Sequence, residues 1–509
     1  MVMQIMVMQS VIQALIVSVA LYAAIKDLTR KDTHKCGIEH AAKHGGIYFT
    51  QIVHLNVVVI SDPHLAAEVL DRTKTPHMID KPTEPQFYKM MDEGTADPPT
   101  PSLISTTNAD PYWKIVRKGT SRAFTVNNLR AAFEVSRNMS KRLVTAVKAY
   151  GAAKPLDLDA VVQNQAFDVI GEFGFSKDYE ATKDLWKGSG AKACMALKNG
   201  RMLAYQAEKH QQSKVSLLSI FKDLLQEVQA RGSPAEEDNS IAAHLMRTRD
   251  DKGQPIPDVR IWSEMYLISQ HSEVEAKVLA ELESLQLLAS PQLPSPRPLE
   301  YADLSKLTYL SCCIKESMRL YPVVPMIFRK AMCDQRVGGY VIPKGAFFIV
   351  HIMATHSTER HWERAADFLP ERWLDPNCEY VRPVDPKSRY VPTGPADIFA
   401  ADKPGNGKTT VNSSNGHIVA DSRAAHRQEH KVKRWFPYGE GNRQCIGMPL
   451  ARVNLQASIA SLLSTFRFKL ADEMGGVEGV RMSECYNITL APEKGLMMHC
   501  IPRANHANT

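Results

Sequence analysis

The chain has 509 residues and a formal net charge of +7. This length suffices for one large domain or a few average ones with a sizeable core. Its basic residues are dispersed, so nucleic acid binding is not suggested, although a basic docking face for an acidic partner is compatible with the charge. Nine scattered cysteines without a CxxC pair indicate free thiols in a reducing compartment, and one of them is a potential ligand.

The N-terminal segment predicts a membrane anchor. Residues 1–25 carry no charge, and a helix of that length would just cross a hydrocarbon core of about 30 Å. Basic residues follow at once, which places the rest of the chain on the cytoplasmic side: Lys26, Arg30, Lys31 and Lys35. We therefore predict an anchor at 1–25, a linker at 26–44 and one domain at 45–509. A cleaved signal peptide and an organelle presequence are the alternatives.

Hydrophobic patterns predict a mainly α domain with a small β subdomain. The clearest strand is 57–60, and a helix begins after Asp62. Further helices are predicted at 111–124, 126–148, 158–173, 183–211, 217–229, 303–320 and 450–466. Residues 337–351 predict a tight turn followed by a strand. The apolar-poor segment 377–431 predicts a disordered surface insertion.

A glycine-rich loop at 435–452, WFPYGEGNRQCIGMPLAR, surrounds Cys445. The helix predicted after it would present its positive end to the sulfur, which favours a thiolate. Three glycines would let the backbone pass close to a flat group and direct N–H groups toward the sulfur: Gly439, Gly441 and Gly447. Isolated cysteines are more often inert core residues, so the surroundings of Cys445 decide its interpretation.

The Cys445 loop resembles the haem-ligand signature of the cytochrome P-450 family, Phe-x-x-Gly-x-Arg-x-Cys-x-Gly. Tyr438 stands where that family usually has Phe, and Gly439 and Gly447 occupy its glycine positions. The resemblance implies that Cys445 is the axial ligand of the iron of haem b. It also implies that Ala451 is the small residue where the last long helix packs on the haem.

Two further features of that family concern the edge of the haem. Trp113 and Arg117 are spaced i, i+4 on one predicted helix face and resemble the family's Trp-x-x-x-Arg segment. The resemblance implies that this pair reaches the haem propionates, because a guanidinium binds a carboxylate through two parallel hydrogen bonds. Arg443 is implied as a second arginine for the propionates, and Arg329 as a third.

A third resemblance lies in the runs KESMRLYP, GGYVIPKG and FLPERW, which occur in the family's order. An i, i+3 pair such as Glu316 and Arg319 is common on solvated helix faces. The resemblance implies that here it forms a buried network with Arg372, with a structural rather than a catalytic role.

One expected segment is missing from the chain. The family crosses the distal face of the haem with a long helix that carries Ala/Gly-Gly-x-Asp/Glu-Thr-Thr, whose acid and alcohol deliver protons to dioxygen. Residues 259–268 resemble the start of that helix, but Ile268 runs directly into Ser269 and the next helix pattern. Glu264 does not replace the motif, because no Gly or Thr follows it. We therefore identify no catalytic residue and predict a truncated distal helix.

The resemblance implies a haem-thiolate monooxygenase that acts on a lipophilic small molecule and receives electrons from an NADPH-dependent P-450 reductase or another donor. The implied location is the endoplasmic reticulum membrane with the domain facing the cytoplasm, or alternatively a plastid or mitochondrial membrane. Candidate docking residues for the donor are Lys118, Arg122, Lys431, Lys433 and Arg434. The missing segment keeps two alternatives open, which are an inactive haem-binding homologue and a haem-thiolate isomerase or dehydratase.

Overall fold

A computed structural model describes most of the chain. Five longer stretches and several short ones lie outside the described residues. The described residues are 33–52, 55–70, 79–82, 107–183, 185, 271–289, 293, 295–381, 432–487, 489–493 and 495–503. The predicted anchor, the helices at 183–211 and 217–229, the distal segment 259–268 and nearly all of the insertion 377–431 lie outside them. Within the described ranges, no helix is long and apolar enough to cross a membrane.

Helices dominate the described structure. They are α1 Thr33–His44, α2 Pro63–Leu70, α3 Pro111–Ser121, α4 Val126–Tyr150, α5 Leu158–Phe175, α6 Ser272–Ser284, α7 Thr308–Leu320, α8 Ile352–Ser357, α9 Met448–Thr465 and α10 Gly476–Met482. Short 3-10 turns lie at Arg122–Phe124, Tyr301–Asp303, Pro370–Leu374, Gly441–Arg443 and Asp472–Met474. The prediction of a mainly α fold with a small β part is confirmed.

The predicted start of α7 at residue 303 was wrong. Asp303 ends a 3-10 turn, where its carboxylate accepts hydrogen bonds from Arg297 at 2.7 and 2.9 Å. The helix begins at Thr308 because Glu281 from α6 supplies its cap. The carboxylate of Glu281 accepts the N–H groups of Tyr309 and Leu310 at 2.7 and 3.0 Å. A cap from a distant segment satisfies helix donors that the local sequence leaves open.

The strands form one five-stranded sheet and three smaller ones. They are β1 Ile47–Ile52, β2 Leu55–Ile60, β3 Ile79–Asp80, β4 Leu156–Asp157, β5 Met326–Ala331, β6 Gln335–Val337, β7 Tyr340–Ile342, β8 Phe347–His351, β9 Phe466–Leu470, β10 Glu484–Asn487, β11 Thr489–Pro492 and β12 Met497–Pro502. The large sheet has the order β1-β2-β8-β5-β3, with β2 and β8 parallel and the other pairs antiparallel. The smaller sheets are β4-β12-β9, β6-β7 and β10-β11.

Residues 337–351 contain more structure than a turn and one strand. β6 and β7 pair as a hairpin with Val337 opposite Tyr340, and β8 follows as a separate strand. The two turn residues, Gly338 and Gly339, have φ values of +58° and +88°, which glycine adopts without steric cost. The predicted turn is therefore the tip of a hairpin that the sequence reading had missed.

A buried polar cluster fixes α9 against α4 and α5. The side-chain amide of Gln165 donates to Asn454 Oδ1 at 3.0 Å and lies 3.1 Å from Ser458 Oγ. Ser140 on α4 lies 3.1 Å from the same Ser458 hydroxyl. These four residues are buried, and a satisfied polar cluster specifies one packing arrangement. The helix that follows Cys445 is therefore held in a defined position by residues of α4 and α5.

The segment 26–44, predicted as a linker, is helical in its described part. α1 packs closely on the end of β8, since a Cβ built on Gly37 would lie within 2 Å of His351 Nε2. Lys35 on the same helix forms an ion pair with Glu484 at 3.3 Å. Residues 33–44 therefore form a helix that contacts the domain, and the limits 26–44 for a linker and 45–509 for the domain stay predictions.

Candidate functional site

The loop that presents Cys445 folds back on itself. The N–H of Gly439 donates to Phe436 O at 2.9 Å, and the N–H of Cys445 donates to Tyr438 O at 2.9 Å. Gly439 and Gly441 have φ values of +72° and +69°, a region that other residues adopt only at a cost. The loop conformation thus depends on these two glycines and places Cys445 just before α9.

The loop lies between the two main cores of the domain. Phe436 is buried with residues of the five-stranded sheet, whereas Tyr438 packs against the helical core. A Cβ built on Gly439 would lie 3.4 Å from Ile327 Cδ1 on β5. Arg329 lies two residues further along that strand, on the same face; it is buried, and its Nη1 donates to Phe328 O at 2.9 Å.

Cys445 is a half-buried free thiol whose surroundings on balance favour the neutral form. Burial raises the pKa of the Cys445 thiol, while the N–H groups of Gly447 and Met448 and the charge of Arg117 oppose that rise. Gly447 is the N-cap of α9 and has an ordinary φ of −81°. It therefore acts on Cys445 through its backbone N–H and not through a conformation that only glycine adopts. A soft metal ion on the sulfur would favour the thiolate decisively.

Cys445 is the candidate metal ligand of this site. Within the described ranges, no group of three or more His, Cys, Asp or Glu side chains is arranged to hold a metal ion. Ala451 lies one helical turn into α9 and is buried, and its small side chain is suited to close packing.

Trp113, Arg117 and Arg443 converge beside the Cys445 loop. The guanidinium of Arg443 lies 4.1 Å from the centroid of the Trp113 ring, and that of Arg117 lies 5.6 Å from it. Arg117 Nη2 donates to Gln444 O at 2.8 Å, one residue before the cysteine. The structure thus joins α3 to the Cys445 loop, as the two sequence motifs implied.

This cluster contains a buried donor suited to an anion. The side chain of Trp113 is 6% exposed, and its Nε1 has no hydrogen-bond partner among the described residues. A buried N–H without an acceptor is costly and calls for a specific explanation. Two arginines beside it supply positive charge. An anionic group such as a carboxylate would satisfy all three donors, so the edge formed by Trp113, Arg117 and Arg443 fits a propionate.

Glu316 lies at the centre of a second cluster, in which Glu316 and Arg319 are completely buried. Its carboxylate accepts Arg319 Nη2 at 2.8 Å and Arg319 Nε at 2.9 Å, and Arg372 Nε at 3.1 Å. It also accepts Trp373 Nε1 at 2.9 Å and the N–H of Leu369 at 3.0 Å. The structure therefore brings together the three residues that the resemblance had placed in one network.

His356 connects this cluster to the Cys445 loop, and the sequence analysis missed it. Arg319 Nη1 donates to His356 O at 2.9 Å, and His356 Nε2 accepts the N–H of Phe436 at 3.1 Å. Burial and the nearby Arg319 charge lower the pKa of His356 to about 3, so the ring is neutral. No motif pointed to His356, because its partners come from two distant segments of the chain.

The candidate docking residues differ in exposure. Lys118 and Arg122 are exposed, and Lys433 forms an ion pair with Glu440 at 3.0 Å.

Arg434 is buried, donates to Cys378 O at 2.9 Å and lies 4.1 Å from the Trp362 ring centroid. Arg434 was therefore wrongly included, since it is an internal residue. Lys431 lies outside the described residues.

The geometry places the half-buried thiol of Cys445 next to a positively charged edge that fits an anionic group. Comparison with known proteins agrees with it. The family model for cytochrome P450 matches residues 20–252, 262–394 and 420–494, which is most of the chain. The chain belongs to the cytochrome P450 family. Haem is the cofactor of that family, and the residues around Cys445 and Trp113 fit it.

The curated relatives are distant. The chain is 21% identical over 440 residues to cytochrome P450 3A56 of Fundulus heteroclitus, covering 78% of this chain and 76% of the relative. It is 21% identical over 497 residues to cytochrome P450 71D8 of Glycine max, covering 90% and 86%. A shorter match, 25% identical over 213 residues, is to 2-hydroxyisoflavanone synthase of Glycyrrhiza echinata, covering 41% and 32%. At this distance the relatives indicate the family rather than a substrate.

The family match is interrupted twice. One interruption, at 395–419, falls inside the segment 377–431 that we predicted to be an insertion. The other, at 253–261, falls just before and at the start of the segment 259–268, where the sequence resembles the opening of the distal helix. The truncated distal helix stays a prediction, because residues 186–270 lie outside the described part of the chain.

Proposed function

We propose that this chain is a haem-thiolate monooxygenase that inserts one oxygen atom from dioxygen into a lipophilic small molecule. Electrons would come from an NADPH-dependent P450 reductase or another donor. The proposed location is the endoplasmic reticulum membrane, with residues 1–25 as the anchor and the domain facing the cytoplasm. A plastid or mitochondrial membrane is the alternative. The single observation that carries the proposal is the half-buried thiol of Cys445 at the N-terminus of α9 beside Arg117.

Each site residue has a distinct proposed task. The haem, when bound, supplies the redox chemistry toward dioxygen. Cys445 would hold the iron as a thiolate, and the N–H groups of Gly447 and Met448 would stabilise the charge on its sulfur. Tyr438 and Gly439 shape the loop that presents the thiolate, and Ala451 leaves room for a flat ring over α9.

The positively charged edge orients the cofactor. Trp113, Arg117 and Arg443 would donate to the propionates, and Arg329 would contribute from β5. On the outer surface, Lys118, Arg122 and Lys433 are the proposed contacts for an acidic electron donor. Because exposed charges act over roughly 10 Å at ordinary ionic strength, we expect electron transfer to slow as salt rises.

Two alternatives follow from the junction of Ile268 and Ser269. A chain without the distal acid and threonine would bind haem through Cys445 but would not activate dioxygen, and the direct junction of Ile268 with Ser269 in the sequence favours this second candidate. A haem-thiolate isomerase or dehydratase also needs no distal acid–threonine pair. Sequencing the transcript distinguishes the monooxygenase from these two alternatives. Extra in-frame codons between Ile268 and Ser269 that encode Gly-x-Asp/Glu-Thr would favour the monooxygenase.

The carbon monoxide difference spectrum of the reduced protein tests the proposal. We expect wild-type protein supplied with haem to show the red-shifted band typical of thiolate ligation. Cys445→Ala should lose it, whereas Cys333→Ala, which removes another half-buried free thiol, should keep it. Persistence of the band in Cys445→Ala would overturn the ligand assignment. Failure of the wild type to take up haem would overturn the proposed function.

A haem-loaded protein then separates the candidates by turnover. With a reductase and NADPH, a monooxygenase consumes dioxygen and forms a hydroxylated or epoxidised product from a lipophilic compound. An inactive homologue shows the thiolate spectrum but no product that depends on dioxygen. An isomerase or dehydratase converts an organic peroxide without NADPH.

A further inference from the structure

Two residues outside every recognised motif contact the side chain of Arg443. We infer that Asp80 and Asn108 are positioning residues that orient Arg443 for the haem propionates. This inference rests on the proposed haem site. It concerns how the arginine is prepared for the cofactor, and neither Asp80 nor Asn108 is proposed to touch the haem.

The contacts on the Arg443 side chain are buried. Its Nε donates to Asn108 Oδ1 at 2.5 Å, and its Nη2 forms an ion pair with Asp80 Oδ1 at 3.8 Å. Its guanidinium also lies 4.1 Å from the Trp113 ring centroid. The side chains of Arg443 and Asp80 are only 6% and 2% exposed, and Asn108 is 7% exposed. The guanidinium is thus fixed by three different residues.

Asp80 and Asn108 are themselves coupled. Asp80 Oδ2 accepts the backbone N–H of Asn108 at 2.7 Å, and Asp80 Oδ1 accepts the N–H of Lys81 at 2.8 Å. Asp80 ends β3, where it pairs with Lys330 on β5. One carboxylate therefore joins the edge of the large sheet to the loop before α3. The orientation of Arg443 depends on the packing of these elements.

This arrangement has two physical consequences for cofactor binding. A guanidinium that is already oriented loses less side-chain freedom when a carboxylate binds it, so preorganisation favours retention of the haem. The nearby carboxylate also balances a charge that would otherwise be buried without a partner in the protein lacking haem. Removing the acceptor on Asn108 should therefore weaken the hold of Arg443 on the cofactor.

The rate of haem loss to an excess of apomyoglobin tests the inference. We expect Asn108→Ala to lose haem roughly three to ten times faster than wild type, which is less than a direct charge-assisted hydrogen bond contributes, because Asn108 acts only through Arg443. Asn128→Ala is the control, because Asn128 is another buried asparagine, whose amide donates to Arg122 O at 3.3 Å. It should lower the free energy of unfolding without accelerating haem loss to that extent.

A double-mutant cycle distinguishes positioning from a general structural role. If Asn108 acts through Arg443, Asn108→Ala adds no further acceleration in the Arg443→Ala background. An equal acceleration in both backgrounds, or none in the wild-type background, overturns the inference. If Asn108→Ala does not fold, Asp80→Asn takes its place in the same cycle with the same expectation. A wild type that never binds haem would instead overturn the proposed function.

Discussion

The molecule contains two buried clusters of arginines that differ in completeness. Around Glu316, the carboxylate meets both arginines directly, and Arg319 directs its other N–H groups to the carbonyl oxygens of His356, Ala365 and Asp367. Around Trp113, two arginines flank a buried indole N–H that has no acceptor among the described residues. The first cluster is complete within the protein, whereas the second has a donor left for an anion.

This difference separates the residues that stabilise the fold, around Glu316, from those proposed to bind the cofactor, around Trp113. A buried charge cluster with every partner present is expensive to break, because removing one member leaves the others unpaired in a dry interior. A cluster with more donors than acceptors stabilises the fold less by itself. A bound carboxylate would accept hydrogen bonds from the remaining donors and stabilise it further. Stability and haem binding should therefore respond to different substitutions.

The largest expected effect is that of Glu316→Gln. This substitution removes the charge that faces Arg319, which is completely buried, and also the charge that pairs with Arg372. We expect the free energy of unfolding to fall by about 3–5 kcal/mol, measured by urea denaturation. If the variant accumulates only as aggregates, the soluble fraction on expression reports the same loss.

A second i, i+3 pair provides the control for that experiment. Arg364 and Asp367 lie 2.6 Å apart, but their side chains are 63% and 46% exposed. We expect Asp367→Asn to change the free energy of unfolding by less than about 1 kcal/mol. Similar losses for Glu316→Gln and Asp367→Asn would contradict the interpretation that burial makes the Glu316 cluster indispensable.

A smaller effect is expected from pH through His356. Because its folded-state pKa is lowered from 6.5 to about 3, the unfolded chain binds an extra proton between these values, and stability falls as the pH drops below 6.5. The loss is up to about 1.4 kcal/mol per pH unit. Protonation would also place an N–H donor against the N–H of Phe436 at the start of the Cys445 loop.

Urea denaturation of wild type and His356→Gln at several pH values measures this contribution. The glutamine oxygen still accepts a hydrogen bond but does not titrate, so the variant should lose less stability between pH 6.5 and pH 4.5. Part of the slope should remain, because burial also lowers the pKa of His361, to about 4. Identical slopes in the two proteins would contradict the role of His356.

The smallest effect concerns two glycines in similar conformations. Gly439 in the Cys445 loop and Gly345 before β8 have φ values of +72° and +90°, and a Cβ on either meets no atom closer than 3.4 Å. Each alanine variant should lower the free energy of unfolding by about 1–2 kcal/mol. Only Gly439→Ala should also reduce haem affinity in a titration of the apoprotein, and an equal reduction in Gly345→Ala would contradict a specific role for the loop.

Much of the fold could be predicted from the sequence because local patterns dictate it. The helices near 126–148 and 158–173 and the strand at 57–60 follow apolar periodicity, and the structure places α4, α5 and β2 there within a few residues. The start of α7 could not be predicted, since its cap is Glu281, which is distant in sequence. The β6–β7 hairpin was missed because each of its strands has only three residues.

The candidate site likewise contains residues that could be predicted from the sequence and residues that could not. Cys445, Trp113, Arg117 and Arg443 belong to motifs whose spacing is visible in the chain, and the structure brings them together. Sequence reasoning did not find Asp80, because it acts through contacts between β3, a loop and the Cys445 segment. Long-range partners of this kind leave no periodicity or spacing to detect.

The most direct test of the contrast between the two clusters is the affinity of the apoprotein for haem and for haem dimethyl ester, whose propionates are blocked. If Trp113, Arg117 and Arg443 form a propionate site, haem should bind roughly ten or more times tighter than the ester, which corresponds to at least about 1.4 kcal/mol. Arg117→Gln should narrow that gap by weakening haem alone. Equal affinities of the wild-type protein for the two compounds would contradict the account.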